Sequence, residues 1–305
     1  VYGIISFNQS RKIMSNGIVC FGEMLWDILP EKELPGGAVM NVAYHLQKLG
    51  EQVSLVSRVG RDARGQGLLD MLHRYGLDTS LVQTDERQET GKVYADMTDP
   101  HNVHYDIVYP AAWDFIEWEP ALGERLKDTA TRYFVFGSLC SRDKVSLHTL
   151  QQALKEEVTK VLDINLREPH YTRAHVEWLL AECHILKLNT SELELISGWY
   201  HPYVDKEQAV RMLSERFGIA TIVVTMGAEG ALLFADDIFY VEPGIVVKVV
   251  DTIGSGDAFL AGLLHSMIRG RAARECLVFA NALGALVASY AGGAPDYEVN
   301  DILKR

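Results

Sequence analysis

The sequence lacks a GxxxxGK[ST] phosphate loop and a GxGxxG turn, so neither a P-loop nucleoside triphosphatase nor a Rossmann dehydrogenase is expected. Its four cysteines, Cys20, Cys140, Cys183 and Cys276, lie far apart and form no CxxC pair. That leaves no disulfide framework or structural zinc site to expect, and fits a reducing cytoplasm. Apolar runs such as residues 258–264 fall well short of the roughly 20 residues that a membrane span needs. Residues 1–12 lack the basic start, sustained apolar stretch and small-residue cleavage site of a secretory signal. Met14 is a candidate start, and residues 1–14 are expected to form a flexible tail. Positive charge is scarce as well. Against 41 acidic residues stand 29 Lys and Arg, a formal net charge of -12, which opposes the long-range attraction that nucleic acid or anionic lipid relies on. ATP is still within reach of such a chain if backbone dipoles and a divalent cation neutralise its phosphates.

What is present points to an α/β protein. With 48% hydrophobic and 23% charged residues over 305 positions, the chain can bury a large core. Short β-branched or apolar runs at 18–21, 53–57, 133–136, 161–164, 184–188 and 221–225 read as strands. Between most of them the apolar spacing is helical: Ala38, Val42, Leu46 and Leu49 share a face, as do Leu68, Leu69, Leu72 and Tyr75, and Val210, Leu213 and Phe217. This alternation predicts a mainly parallel sheet covered on both faces. Residues 90–108 break the rhythm. They read as two extended segments, 92–97 and 103–108, around the turn-forming 98–102, and suit a small sheet standing off the main domain.

The segment richest in chemistry is Asp251-Thr252-Ile253-Gly254-Ser255-Gly256-Asp257-Ala258-Phe259-Leu260-Ala261-Gly262. Helical spacing from Phe259 onward places its glycine-rich turn at a helix N-terminus, where unpaired N–H groups and the dipole can hold an anion. Gly254 and Gly256 allow the main chain to approach phosphate oxygens closely. Asp257 could accept a proton from an attacking hydroxyl, although an isolated Asp behind glycines also serves as an ordinary N-cap.

Together with Pro35-Gly36-Gly37-Ala38-Val39-Met40-Asn41, this segment resembles the two signatures of the ribokinase-like (PfkB) carbohydrate kinases, in the order found there. Gly22-Glu23-Met24-Leu25-Trp26-Asp27, Asp163-Ile164-Asn165-Leu166-Arg167, Lys187-Leu188-Asn189-Thr190-Ser191-Glu192 and Val224-Thr225-Met226-Gly227-Ala228-Glu229-Gly230 are similar to further family segments. The likeness runs from about residue 18 to 295 and is nearest to the bacterial fructokinases.

The resemblance implies a three-layer sandwich with a small β lid formed by about residues 30–37 and 90–110, within a kinase domain spanning 15–305. It implies Asp257 as base, with Gly254, Ser255 and Gly256 forming the anion hole, and Asp27, Gly36, Gly37, Asn41 and Arg167 around the sugar. Asn189, Glu192, Thr225, Gly227, Gly230 and Asn281 fall on the nucleotide side, Glu192 reaching Mg2+ through water. Asp251 and the carbonyl of Ile253, with carbonyls near 288–293, match ligands of a monovalent cation such as K+. In relatives such lids often pair between subunits, so a homodimer through the lid is an expectation.

Taken alone, several of these residues have plainer readings. Asp27 would be a turn residue, Arg167 a surface partner of Glu168, Asn189 a helix cap, and 225–230 a tight turn between strands. The expected activity is ATP-dependent phosphorylation of a sugar's primary hydroxyl, with D-fructose ahead of 2-keto-3-deoxygluconate. A catalytically silent sugar or nucleotide sensor is the alternative from another class.

Overall fold

The computed structural model describes residues 17–96 and 104–304. Its first half runs β1 (Gly17–Phe21), β2 (Leu25–Leu29), β3 (Lys32–Gly36), α1 (Ala38–Lys48), β4 (Gln52–Gly60), α2 (Ala63–Arg74), β5 (Val82–Asp85), β6 (Gly91–Asp96), β7 (His104–Ile107), α3 (Pro120–Lys127), β8 (Thr131–Gly137) and α4 (Lys144–Ala153). The second half runs β9 (Thr159–Asp163), α5 (Arg173–Glu182), β10 (Ile185–Asn189), α6 (Thr190–Gly198), α7 (Lys206–Phe217), β11 (Thr221–Thr225), β12 (Ala231–Ala235), β13 (Ile238–Glu242), α8 (Ser255–Ile268) and α9 (Ala273–Ala288).

Nine strands form the main sheet in the order β13-β12-β11-β10-β9-β8-β1-β4-β5. From β5 to β11 the pairings are parallel, and β12 and β13 extend it antiparallel. The strands alternate between two buried faces. Val19, Phe21, Phe134, Phe136, Leu162 and Leu186 pack in one core, while Ile18, Cys20, Tyr133, Val135, Val161 and Ile185 pack in the other. Helices α3 to α7 supply the first core and α1, α2, α8 and α9 the second, giving the three-layer sandwich. Burial of both faces explains why these strands read as continuous apolar runs.

Local chemistry fixes where the helices begin. Asp62, Asp143, Thr172 and Asp205 accept N–H bonds at the starts of α2, α4, α5 and α7, and Gly218 closes α7 in the left-handed conformation. Helix α8 has no polar face: residues 257–266 are all buried, between the sheet and α9. No described helix is long and apolar enough to cross a membrane.

The small sheet has the order β3-β2-β6-β7. It differs from the sequence reading in one respect: β2 is one of its two inner strands, so Asp27 sits in a strand rather than a turn, and the first lid segment begins at Leu25 rather than residue 30. The strand expected over 92–97 is β6, starting at Gly91. Residues 97–103 and the proposed tail, 1–14, lie outside the described residues.

Candidate active site

The site lies where parallel strands end. Ligands of open α/β sheets bind at the carboxyl edge, near the point where strand order reverses, and β1 occupies that point between β4 and β8. Register brings Gly137, Asp163 and Lys187 into line along this edge, with Asn189 opposite Thr225 beyond them.

Two helices meet there by their N-termini. Helix α1 starts at Gly37, whose φ of 114° suits glycine and whose added Cβ would lie 2.3 Å from the carbonyl oxygen of Glu23. In the first turn of α1, Asn41 Nδ2 donates to Asp257 Oδ2 at 2.8 Å, a buried bond between residues 216 positions apart. Asp257 is the third residue of α8 and makes no capping bond, so the plain N-cap reading does not describe it. Burial pushes its pKa up to about 6. The charge of Asp163 adds to this, while Lys187, the Asn41 bond and Arg167 act against it. A carboxylate of that pKa is ionised at neutral pH yet basic enough to take a proton. The resulting expectation is that kcat/KM falls as pH drops through about 6, tending toward about tenfold per unit as the base protonates. A profile flat over about pH 5 to 8 would contradict it.

Among the residues expected around the sugar, Asp27 Oδ2 lies against the position where Gly36 would carry a Cβ, so glycine there makes room for the carboxylate. Burial pushes Asp27 to about 6, helped by Asp251 and opposed by Arg167. Arg167 is exposed and Nη1 donates to the carbonyl of Leu166 at 3.0 Å. The plain reading as a partner of Glu168 does not hold, because Glu168 instead accepts from the Tyr171 hydroxyl at 3.2 Å. The charge of Arg167 is felt by Glu23, Asp27 and Asp257 together.

Glu23 belongs to the site and had no role in the sequence reading. Its Oε1 accepts the N–H of Ala38 at 3.0 Å, giving α1 the capping acceptor that Gly37 cannot supply. Burial raises Glu23 to about 7. Its Oε2 and the Oδ1 of Asn41 are buried without a hydrogen-bond partner, a cost that a hydroxyl-bearing ligand would relieve. The only local signal was an acidic residue directly after a buried strand and glycine. Tyr109, just past β7 of the small sheet, donates its hydroxyl to Asp143 at the start of α4.

The residues expected to meet the nucleotide gather around the start of α8. Gly254 is left-handed, with φ 74°, and an added Cβ would lie 2.3 Å from the Cα of Gly293. It offers no capping side chain, so the first turn of α8 keeps N–H groups for an anion. Ser255 turns its hydroxyl back to the carbonyl of Thr252 at 2.9 Å. Thr225, Gly227, Gly230, Ser255, Gly256 and Asn281 all line one cavity of about 350 Å³, walled by residues 244–249 and α9. Asn281 Nδ2 donates to the carbonyls of Glu242 and Pro243 at 3.3 and 3.4 Å and so ties α9 to that wall. The segment 226–230 is also a connection between antiparallel strands, β11 and β12, so both sequence readings of it describe the same turn. A more open cavity of about 650 Å³ shares Thr225 and Gly227 and adds Asn189, Thr190 and Ser191.

Asn189 and Glu192 form a reciprocal capping box at the start of α6, with distances of 2.9 and 2.8 Å. The second oxygen of Glu192 accepts the N–H of Leu166 at 2.8 Å, which fixes the loop carrying Arg167. Asp251 stands apart from these cavities: its two oxygens accept the N–H groups of Ile253 and Gly292, each at 3.0 Å. It thereby staples the turn before Gly254 to residues 288–293, where the Ala288 carbonyl already accepts from Val250 and the Gly293 carbonyl meets His45 Nε2. Among the described residues no group of three or more His, Cys, Asp or Glu could hold a metal ion.

The family model of the pfkB family carbohydrate kinases matches residues 18–300. The chain belongs to that family. It is a sugar kinase, transferring phosphate to an alcohol group. Among curated pfkB relatives, the probable fructokinase-7 of Arabidopsis thaliana is 29% identical over 309 residues, covering 91% of this chain and 88% of its own. A fructokinase of Vibrio cholerae O395, solved with fructose, ADP and potassium, superposes with a TM-score of 0.79 at 23% identity over 92% of this chain and 94% of its own. The aminoimidazole riboside kinase of Salmonella enterica, solved with its riboside and an ATP analogue, gives 0.80 at 24% over 95% and 99%. These two likenesses establish the pfkB kinase fold, and the difference between their substrates shows that the fold alone does not select the sugar.

Proposed function

We propose that the enzyme transfers the terminal phosphate of ATP to the primary hydroxyl on C6 of D-fructose, giving fructose 6-phosphate and ADP. The observation that carries the chemistry is the Asn41–Asp257 hydrogen bond, which joins the helix expected to bind sugar to the helix expected to hold phosphate. Asp257 accepts the proton of the attacking hydroxyl, while the first turn of α8 stabilises charge on the moving phosphoryl group. Positioning and charge dominate such a transfer, so a base of modest strength suffices. Asp27, Asn41 and Arg167 offer an acceptor, a mixed group and a cation to the polyol. Mg2+ would come with the nucleotide and neutralise its phosphates, with the Asn189–Glu192 corner holding its waters. The choice of fructose is supported by the fructokinase names among the relatives.

ADP release measured with a panel of fructose, 2-keto-3-deoxygluconate, ribose, inositol and nucleosides tests this choice. Fructose should give the highest kcat/KM. A ketodeoxy acid faster by about tenfold would instead assign Arg167 to a carboxylate, leaving the kinase chemistry in place. Release of ADP with none of them would favour a silent sensor.

Potassium should stimulate the reaction more than sodium or choline at fixed ionic strength. The reason is that Asp251 and the Ile253 carbonyl border the turn that leads into Gly254, and an ion there would order it. Equal rates in the three salts would leave Asp251 with its stapling role alone.

A further inference from the structure

Beneath the anion-binding turn lies a buried ion pair, between two residues to which the sequence reading gave no role. Lys187 on β10 and Asp163 on β9 face each other in register, and Lys187 Nζ contacts both carboxylate oxygens, at 2.9 and 2.8 Å. The two side chains are 8% and 3% exposed. Lys187 interrupts an otherwise apolar strand, Ile-Leu-Lys-Leu, and an apolar pair of similar volume would serve the core as well or better. Its ammonium instead reaches the start of α8, lying 3.0 Å from the position a Cβ on Gly256 would occupy. Burial works to discharge Lys187, but the charges of Asp163, Asp257 and Glu192 outweigh it and hold the pKa above the ordinary lysine value. One ammonium thus serves carboxylates from β9, α6 and α8, at the point where α8 presents its N-terminus.

We propose that Lys187 is a positioning residue for phosphoryl transfer: clamped by Asp163, its ammonium backs the Gly256–Asp257 turn and holds that turn, with its positive field, where the transferred phosphate passes. The inference rests on the kinase reading and is independent of which sugar is used. Lys187 acts through the turn and through its charge, as a preorganised group that costs no rearrangement during the reaction. A side chain at Gly256 would crowd the Lys187 ammonium, which gives glycine at this position a reason within the protein itself.

The test separates this role from a structural one. Lys187→Met alone leaves Asp163 buried without its cation and should lower both Tm and kcat. The double variant Lys187→Met with Asp163→Leu removes the pair altogether and should recover Tm. If the ammonium serves the reaction, kcat of the double variant remains down by about 10²-fold, with KM for ATP and sugar changed by no more than about threefold. Recovery of kcat together with Tm would overturn the proposal, as would near-normal turnover in Lys187→Met. Asp163→Asn, nearly isosteric and therefore less disruptive to folding, keeps the ammonium and should retain more than about a tenth of kcat. A loss as deep as that of Lys187→Met would also overturn the proposal. All rates are read with the sugar that the wild-type enzyme uses fastest, so an error about fructose leaves the comparison intact.

Discussion

Asp257→Asn should lower kcat by about 10²- to 10⁴-fold while leaving ATP binding nearly unchanged, the pattern expected when a general base is lost and ground-state contacts stay. The substitution preserves shape, and the amide can still bond to Asn41. Its effect on stability should have the opposite sign. A carboxyl whose pKa is raised on folding, here to about 6 mainly by burial, contributes stability below its unfolded pKa and loses that contribution as pH rises through the folded value. At about pH 8 the ionised Asp257 is therefore a burden on the fold, and Asn should raise Tm there rather than lower it. A helix cap would behave otherwise, with Ala costing about 1 kcal/mol and activity falling only as folded protein falls. Parallel kinetic and thermal-unfolding measurements on Asp257→Asn and Asp257→Ala distinguish the two. Near-normal turnover in either variant would remove Asp257 from the role of base.

Asp27→Ala should reduce kcat/KM for the sugar by about 10²- to 10⁴-fold, with the Kd for ATP changed far less. Asp27 is held on an inner strand of the small sheet, its oxygen fitted against Gly36, and burial raises its pKa to about 6. Such a carboxylate can accept from two hydroxyls, and a site built for hydroxyls discriminates strongly because a missing one leaves its own group unpaired. Deoxy analogues should accordingly be poor substrates. If ATP affinity falls in step with sugar kcat/KM in Asp27→Ala, the residue supports the fold of the site rather than the sugar.

The difference between what the sequence disclosed and what it concealed has a physical basis. In the main sheet β5, β12 and β13 went unread, while β1, β4 and β8 to β11 were readable because burial on both faces makes them short apolar runs, and the glycine-rich turn at Gly254 because glycine chemistry is local. Strands β2 and β3 were not, since Leu25–Leu29 is only half buried and Lys32–Gly36 contains a proline. Cross-strand pairing with β6, more than sixty positions along the chain, completes that sheet. The Asn41–Asp257 bond, the Glu23 cap on α1 and the Lys187–Asp163 pair share the same obstacle. Each member looks ordinary in its own segment, and only the parallel topology, the strand register and the meeting of two helix N-termini bring the partners together. Conversely, Asn189 and Glu192 are three apart, so their capping box is legible from spacing alone.

The most direct measurement is identification of the product by NMR after incubating the enzyme with ATP, magnesium and fructose isotopically labelled at C6. The account predicts carbon–phosphorus coupling at that carbon, with ADP released in equal amount, and coupling that disappears with Asp257→Asn. ADP release without a sugar phosphate, or phosphate on a different carbon, would contradict it.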